Sequence, residues 1–281
     1  MSDYIPIIKE YPHKCCNVKC VFAINDYFYI GRNGNASKFK ITTGEFIMEY
    51  SNNDIFHSSV NSVYVKNDSI FTGSDDGIVR MFDIETGEVK MEYEHNMPVY
   101  YVLVCDNYLF TGCGDGIVRK INIDTGEVEM EYQHNRLVWS VCVSNGSIFA
   151  GCGDGMVKMF DIETGDLQKV FPHDEHVRTV CVSNGRIFTG CGDGMARMFD
   201  INTGETLMEY PHEDRVRSLC VIGNRLFTGC WDKKVRMFDI ETGKLKNVFP
   251  HTDIVNSVCV CESNGSIFTG HRDGMVKKIP I

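Results

Sequence analysis

The sequence repeats itself about every 39 residues, and this limits the fold more than any other feature. IFAGCGDGMVKMFDIETGDL (148–167) and IFTGCGDGMARMFDINTGET (187–206) are identical at 14 of 20 positions. The glycine of this motif returns as Gly31, Gly73, Gly112, Gly151, Gly190, Gly229 and Gly270, in steps of 42, 39, 39, 39, 39 and 41. A histidine keeps the same beat at His95, His134, His173, His212 and His251, each 39 apart, with His57 and His13 before them. A period near 40 residues belongs to arrays in which each unit buries its apolar face against the next.

One unit, from His173, shows what is repeated. VRTVCV (177–182), IFTGC (187–191), MARMFDI (195–201) and TLMEY (206–210) are short, apolar and partly β-branched. SNGR, GDG and NTGE separate them, and Asn-Gly suits a tight hairpin turn. No stretch carries an apolar period of 3.6 with helix caps. Four antiparallel strands per unit form a propeller blade, and seven units form an all-β, seven-bladed β-propeller. The expected blades are 13–50, 57–93, 95–132, 134–171, 173–210, 212–249 and 251–281, within one domain spanning 1–281. The last unit ends after its third strand, and residues about 4–11 read as its fourth. That strand would close the ring and hide the sheet edges.

The same residues give the chain its resemblance. It is similar to the WD-repeat family of β-propellers over essentially its whole length. The Trp-Asp position of that family is Phe82-Asp83, Phe160-Asp161, Phe199-Asp200 and Phe238-Asp239 here, and it decays to Ile121-Asn122, Phe39-Lys40 and Ile279-Pro280. The Gly of the family's Gly-His pair is replaced throughout. The resemblance implies a hydrogen-bonded chain in each blade that links His, a hydroxyl and Asp. The sets are His57, Thr72, Asp76; His95, Thr111, Asp115; His173, Thr189, Asp193; His212, Thr228, Asp232; and His251, Thr269, Asp273. The His134 blade has Ala150 in place of Thr. Phe has no N–H to donate, so it is expected only to pack.

Recurrence decides whether these sets are chemistry or framework. Catalysis needs one asymmetric site, and the His, Asp and hydroxyl recur blade after blade. One His and one Asp per blade also fall short of a zinc ligand set. No enzyme, metal or cofactor is expected. The 13 cysteines follow the repeat, as in Cys142, Cys181, Cys220, Cys259 and Cys113, Cys152, Cys191, Cys230, and read as reduced core residues. Asn67, Asn145 and Asn264 precede x-Ser in first turns and read as turn residues, not glycan sites. Glu85, Glu88, Asp124, Glu127, Glu163, Asp166, Glu205 and Glu241 lie in the third turns, without a calcium ligand series, and are expected to be solvated.

Composition sets the setting. Lys and Arg number 28 against 38 Asp and Glu, a net charge of −10 that argues against a general nucleic-acid binder. No apolar run is long enough to span a membrane. Asp3 stands where a signal peptide needs positive charge. A cytoplasmic protein is expected, monomeric when alone, with the nucleus left open.

Function belongs where the copies differ. The position after the first strand's leading Val reads Lys19, Asn61, Tyr100, Trp139, Arg178, Arg217 and Asn256. First strands lie nearest a propeller's channel, so these side chains should ring one mouth. The position before the second-turn Asp should border it, and is Asp75, Trp231 and Arg272 in three blades. Trp, Tyr and Arg are the residue types that dominate interfaces. The expected role is a non-enzymatic scaffold that binds an acidic or phosphorylated protein segment through Lys19, Tyr100, Trp139, Arg178, Arg217, Trp231 and Arg272. Nearby Asp174, Glu175, Glu213, Asp214 and Asp253 should temper the charge. The rival is a structural, self-assembling propeller. A ubiquitin-ligase substrate receptor is a further, weaker reading. Two further deviations are a longer loop at 51–56 and an insertion at Cys261-Glu262.

Overall fold

The computed structural model describes residues 9–12, 17–51, 58–261, 263 and 265–280. These form 28 strands in seven four-stranded antiparallel sheets arranged as a ring of blades. Blades one to six are each four consecutive strands, beginning at Cys20, Val60, Val99, Val138, Val177 and Val216. Among the described residues there is no α-helix, and none long and apolar enough to cross a membrane.

Turn chemistry sets the strand breaks. Asn184 and Gly185 hold φ of 50° and 69°, and Asn145 and Gly146 hold 49° and 72°. Paired positive φ values are what a two-residue hairpin needs. In the third turn the Asp83 carboxylate accepts from the backbone N–H groups of Glu85 and Thr86, at 3.0 and 2.9 Å. Asp161 and Asp200 do the same in their blades. The third turns are thus fastened by their own side chains.

Blade seven closes the ring. Its strands Val255–Cys261, Ser266–His271 and Met275–Pro280 are joined by Lys9–Pro12, with Glu10 opposite Lys277 and Tyr11 opposite Val276. Residues 4–8 of the expected closing strand, His13, Cys15, Cys16 and His57 lie outside the described residues, as do loop residues 52–56, Glu262 and Asn264.

The core lies between blades. Tyr11, Val18, Phe28, Phe39, Phe268 and Val276 form the cluster that welds blade seven to blade one. The repeated glycine makes this close approach possible. A Cβ on Gly270 would sit 2.6 Å from Val18 Cγ1, and one on Gly112 would sit 3.0 Å from Val138 Cγ1.

A repeated tyrosine adds a polar seam that sequence reasoning missed. Tyr50, Tyr93, Tyr132 and Tyr210 each donate their hydroxyl to a carbonyl in the next blade, at Ile84, Ile123, Ile162 and Ile240. Tyr11 donates to Ile41 at 2.8 Å, across the closure. The signal was present in the recurring Glu-Tyr of the fourth strands.

The polar framework differs from the expected His–hydroxyl–Asp chain. His95, His173 and His212 do reach Thr111, Thr189 and Thr228 through Nε2, at 2.9, 2.8 and 2.7 Å. Their Nδ1 atoms face the carbonyls of Tyr93, Phe171 and Tyr210. The aspartates turn elsewhere. Asp76, Asp115, Asp193 and Asp232 pair with Arg80, Arg119, Arg197 and Arg236 at 2.6, 2.7, 2.6 and 2.5 Å. Their second oxygens accept from their own turns, for example from Ile78 N. A carboxylate between a guanidinium and a backbone N–H has no need of a neutral imidazole. The pairing was legible as Asp and Arg four residues apart in these four copies, with Lys158 and Lys277 in place of Arg in two others.

Blade seven is different again. Thr269 contacts both His251 and His271, and Asp273 accepts from Thr252. In blade four His134 is buried, and both ring nitrogens lack a partner among the described residues, as Ala150 implies. His134, His173 and His212 stack edge-on against Phe160, Phe199 and Phe238, so Phe does pack where the family has Trp.

The third-turn acids are exposed, as expected, but several also have partners. Lys38, Lys120 and Arg186 reach Glu85, Glu163 and Glu241 in the following blade, at 3.0, 3.0 and 2.6 Å. Asn107 donates to Asp124.

Candidate binding site at the channel mouth

Six blades reach the mouth through the same local distortion. The first strands are out of register between Val60 and Ser62, Val99 and Tyr101, Val138 and Ser140, Val177 and Thr179, Val216 and Ser218, and Val255 and Ser257. The skipped residues are Asn61, Tyr100, Trp139, Arg178, Arg217 and Asn256. A β-bulge leaves one residue unpaired and re-aims its side chain. Here it turns the variable position toward the axis. Lys19 precedes the paired part of blade one's first strand and occupies the equivalent place.

All seven residues line one cavity of about 330 Å³, together with Asp75. Beneath it a second cavity of about 440 Å³ is lined by Phe22, Tyr64, Leu103, Cys142, Cys181 and Cys220, among others. Cys142, Cys181, Cys220 and Cys259 therefore line the channel and also pack against the core clusters between blades. Burial holds the Cys142 thiol up at about 11 and Cys181 at about 12, so both stay protonated. Cys113, Cys152, Cys191 and Cys230 are buried, and their thiols donate to loop carbonyls at 2.9–3.2 Å.

The mouth is chemically lopsided. Asn61 is committed to Asp75 at 2.7 Å, and Asn256 to Asn17 at 2.7 Å and to the Val18 carbonyl. Across the ring, Tyr100, Trp139 and Arg178 form a column. The Tyr100 and Trp139 ring centroids are 4.4 Å apart, and the Arg178 guanidinium lies 3.6 Å from the Trp139 ring. Trp231 does not line the cavity but borders it. Arg215 and Arg217 lie 5.1 and 5.7 Å from its ring. Its indole N–H is buried without a partner among the described residues.

Four of the five acids expected to temper these arginines are engaged elsewhere. Glu213 pairs with Lys234 at 2.8 Å, and Glu175 faces His176 at 3.4 Å. Asp214 caps the backbone N–H of Arg215. Asp253 takes Arg272 at 3.3 Å, so Arg272 is an exposed, paired residue outside the cavity. Among the described residues Arg178, Arg215 and Arg217 have no carboxylate partner. Burial, then Arg217 and Arg215, pull the Arg178 guanidinium down to about 9, and burial also lowers Arg217. Both remain cationic at neutral pH.

The position before the second-turn Asp is Gly in three blades for a steric reason. Met97 and Pro98 pack over Gly114, Leu137 over Gly153, and the His176 ring over Gly192. The rim thus passes from apolar in blades three and four to basic in blades five and six.

Comparison with known proteins agrees with this architecture. The family model described as WD domain, G-beta repeat matches residues 50–83, 126–161, 204–239 and 243–278, about half of the chain. The crystal structure of the WD40 β-propeller domain of Doa1 is similar at a TM-score of 0.86 and 21% identity, over 97% of this chain and 95% of that one. The computationally designed Ika8 protein superposes at 0.77 with 20% identity, over 96% and 98% of the two chains. No match is found among curated protein sequences. With its seven four-stranded blades and its repeats matched by that model, the chain belongs to the WD-repeat family of β-propellers, typically protein-interaction scaffolds without catalytic activity.

Proposed function

We propose that this propeller binds an anionic protein segment at the channel mouth and acts as a scaffold without catalysing a reaction. One observation carries the reading. Arg178 and Arg217 line one side of an open cavity, with Arg215 beside the neighbouring Trp231, and none of the three has a carboxylate partner among the described residues, in a chain of net charge −10. Concentrated positive potential in an acidic protein steers acidic partners toward one place. The bulged strands hold Arg178 and Arg217 on a rigid ring, which lowers the ordering cost of binding.

Affinity capture from cell lysate tests it, comparing wild type with a folded Arg178→Glu/Arg217→Glu variant. Partners lost by the variant support the mouth. Partners retained in full place binding elsewhere.

A second reading rests on the outer strands. Phe46, Val89, Val128, Leu167, Leu207 and Leu245 are large, apolar and 42–51% exposed at the start of successive fourth strands. Self-association through these edges would show as sedimentation that depends on concentration without any partner.

A further inference from the structure

The two tryptophans do not offer a free stacking surface. Trp139 lies between Tyr100 and Arg178 in ring order and is in contact with both. Trp231 is flanked by Arg215 and Arg217. A guanidinium on an indole uses its face for the contact and keeps its N–H edge free to form a fork. The rings therefore orient cations, and the cations are left to meet the ligand.

We propose that Arg178, Arg215 and Arg217, held by Trp139 and Trp231, form a clamp for one phosphomonoester dianion carried on a phosphoserine or phosphothreonine of the bound segment. The clamp rests on the mouth being the binding face, and it narrows the ligand from any anion to one class.

Two features favour a dianion over a carboxylate. Arg178 and Arg217 line the same cavity, Arg215 shares the Trp231 ring with Arg217, none has a carboxylate partner among the described residues, and two negative charges offset more of their mutual repulsion than one. A phosphoryl group presents three acceptor oxygens, enough for several N–H edges at once. The arginines elsewhere show the contrast. Arg80, Arg119, Arg197 and Arg236 are each neutralised by an Asp on their own strand turn. The cavity, about 330 Å³, lies at the lower end of the range for ligand sites, roughly 300–1,000 Å³.

The site carries its own reporter, since Trp139 and Trp231 are the protein's only two tryptophans. Intrinsic fluorescence would be titrated with inorganic phosphate and with a nonapeptide pool holding a central phosphoserine. Matching pools hold Glu or Ser at that place. The clamp predicts a saturable change with phosphate and the phosphoserine pool. It also predicts roughly tenfold weaker response to the Glu pool, and loss of the response in Arg178→Gln/Arg217→Gln. Circular dichroism melts establish that the variant is folded. Anisotropy of a labelled phosphoserine pool extends the test to the indoles. Trp139→Leu should weaken binding and Trp139→Phe should retain it, as expected of a positioning residue.

Equal binding of the Glu and phosphoserine pools overturns the dianion clamp and leaves the anionic-segment reading intact. Response to a soluble polyphosphate such as inositol hexakisphosphate, with none to the phosphoserine pool, overturns the assignment to a protein segment. No response to any probe overturns the clamp, and the capture experiment then judges the mouth independently.

Discussion

Lys233 holds φ of 66° where five other blades place Gly77, Gly116, Gly155, Gly194 and Gly274. A left-handed lysine costs about 1–2 kcal/mol, less the roughly 0.5–1 kcal/mol that glycine loses in folding entropy. Lys233→Gly should therefore stabilise the protein by about 0.5–1 kcal/mol, read as a higher melting temperature. Strain of this kind gathers at functional positions, and it falls in the one blade whose second turn reads Trp-Asp-Lys-Lys. A second residue-scale test concerns His134. Ala150→Thr would give its ring the hydroxyl that three equivalent histidines use, and should add about 1 kcal/mol of stability. A lower melting temperature would mean that the blade-four core has no room for the side chain.

Strands and turns were the most legible part of the sequence, because one error of register would have to recur in every copy. Val177–Ser183, Arg186–Cys191, Met195–Asp200 and Thr206–Pro211 differ from the expected segments by a residue or so at their ends. The mouth positions were legible for the same reason, since a bulge at a fixed place in each copy carries one variable residue to the axis. What that residue does there was not legible. Nothing in the spacing says that Trp139 spends its faces on Tyr100 and Arg178, or that Asp253 consumes Arg272. Such contacts join residues a blade apart, and blade-to-blade distance has no signature within one repeat. Closure makes a prediction at this scale. Tyr11 ties Lys9–Pro12 to blade one through Ile41, and the strand covers the edge of Met275–Pro280. Tyr11→Phe should cost about 1 kcal/mol. Removing residues 1–12 should lower the melting temperature further and promote aggregation through the exposed edge. An unchanged monomeric melt would remove this strand from the account of closure.

The ring as a whole should be acid-sensitive. Burial lowers His134, His173, His212 and His251 to about 4, and His271 to about 2, from an ordinary 6.5. Each ring binds its proton less readily folded than unfolded. Their contribution is complete above pH 6.5 and is lost as pH falls through the window toward 4. Asp115, Asp193 and Asp232, lowered by Arg119, by the Met195 N–H with Arg197, and by Arg236, lose stability in the same direction below about pH 4. The melting temperature should therefore drop between pH 7 and pH 4.5. His271→Cys, which installs the residue four other blades use there, should flatten the drop. A melt equally steep in that variant would mean that His271 adds nothing to the acid limb.

The central claim is that the mouth, and not the outer edges or the third-turn face, receives the partner. Amide hydrogen exchange with and without a saturating captured segment tests it directly. The account predicts protection concentrated at residues 136–141, 175–180, 214–219 and 231–234, where the bulges and the Trp231 turn meet the cavity. Protection on the fourth strands or on the third turns, with these four segments unchanged, would contradict it.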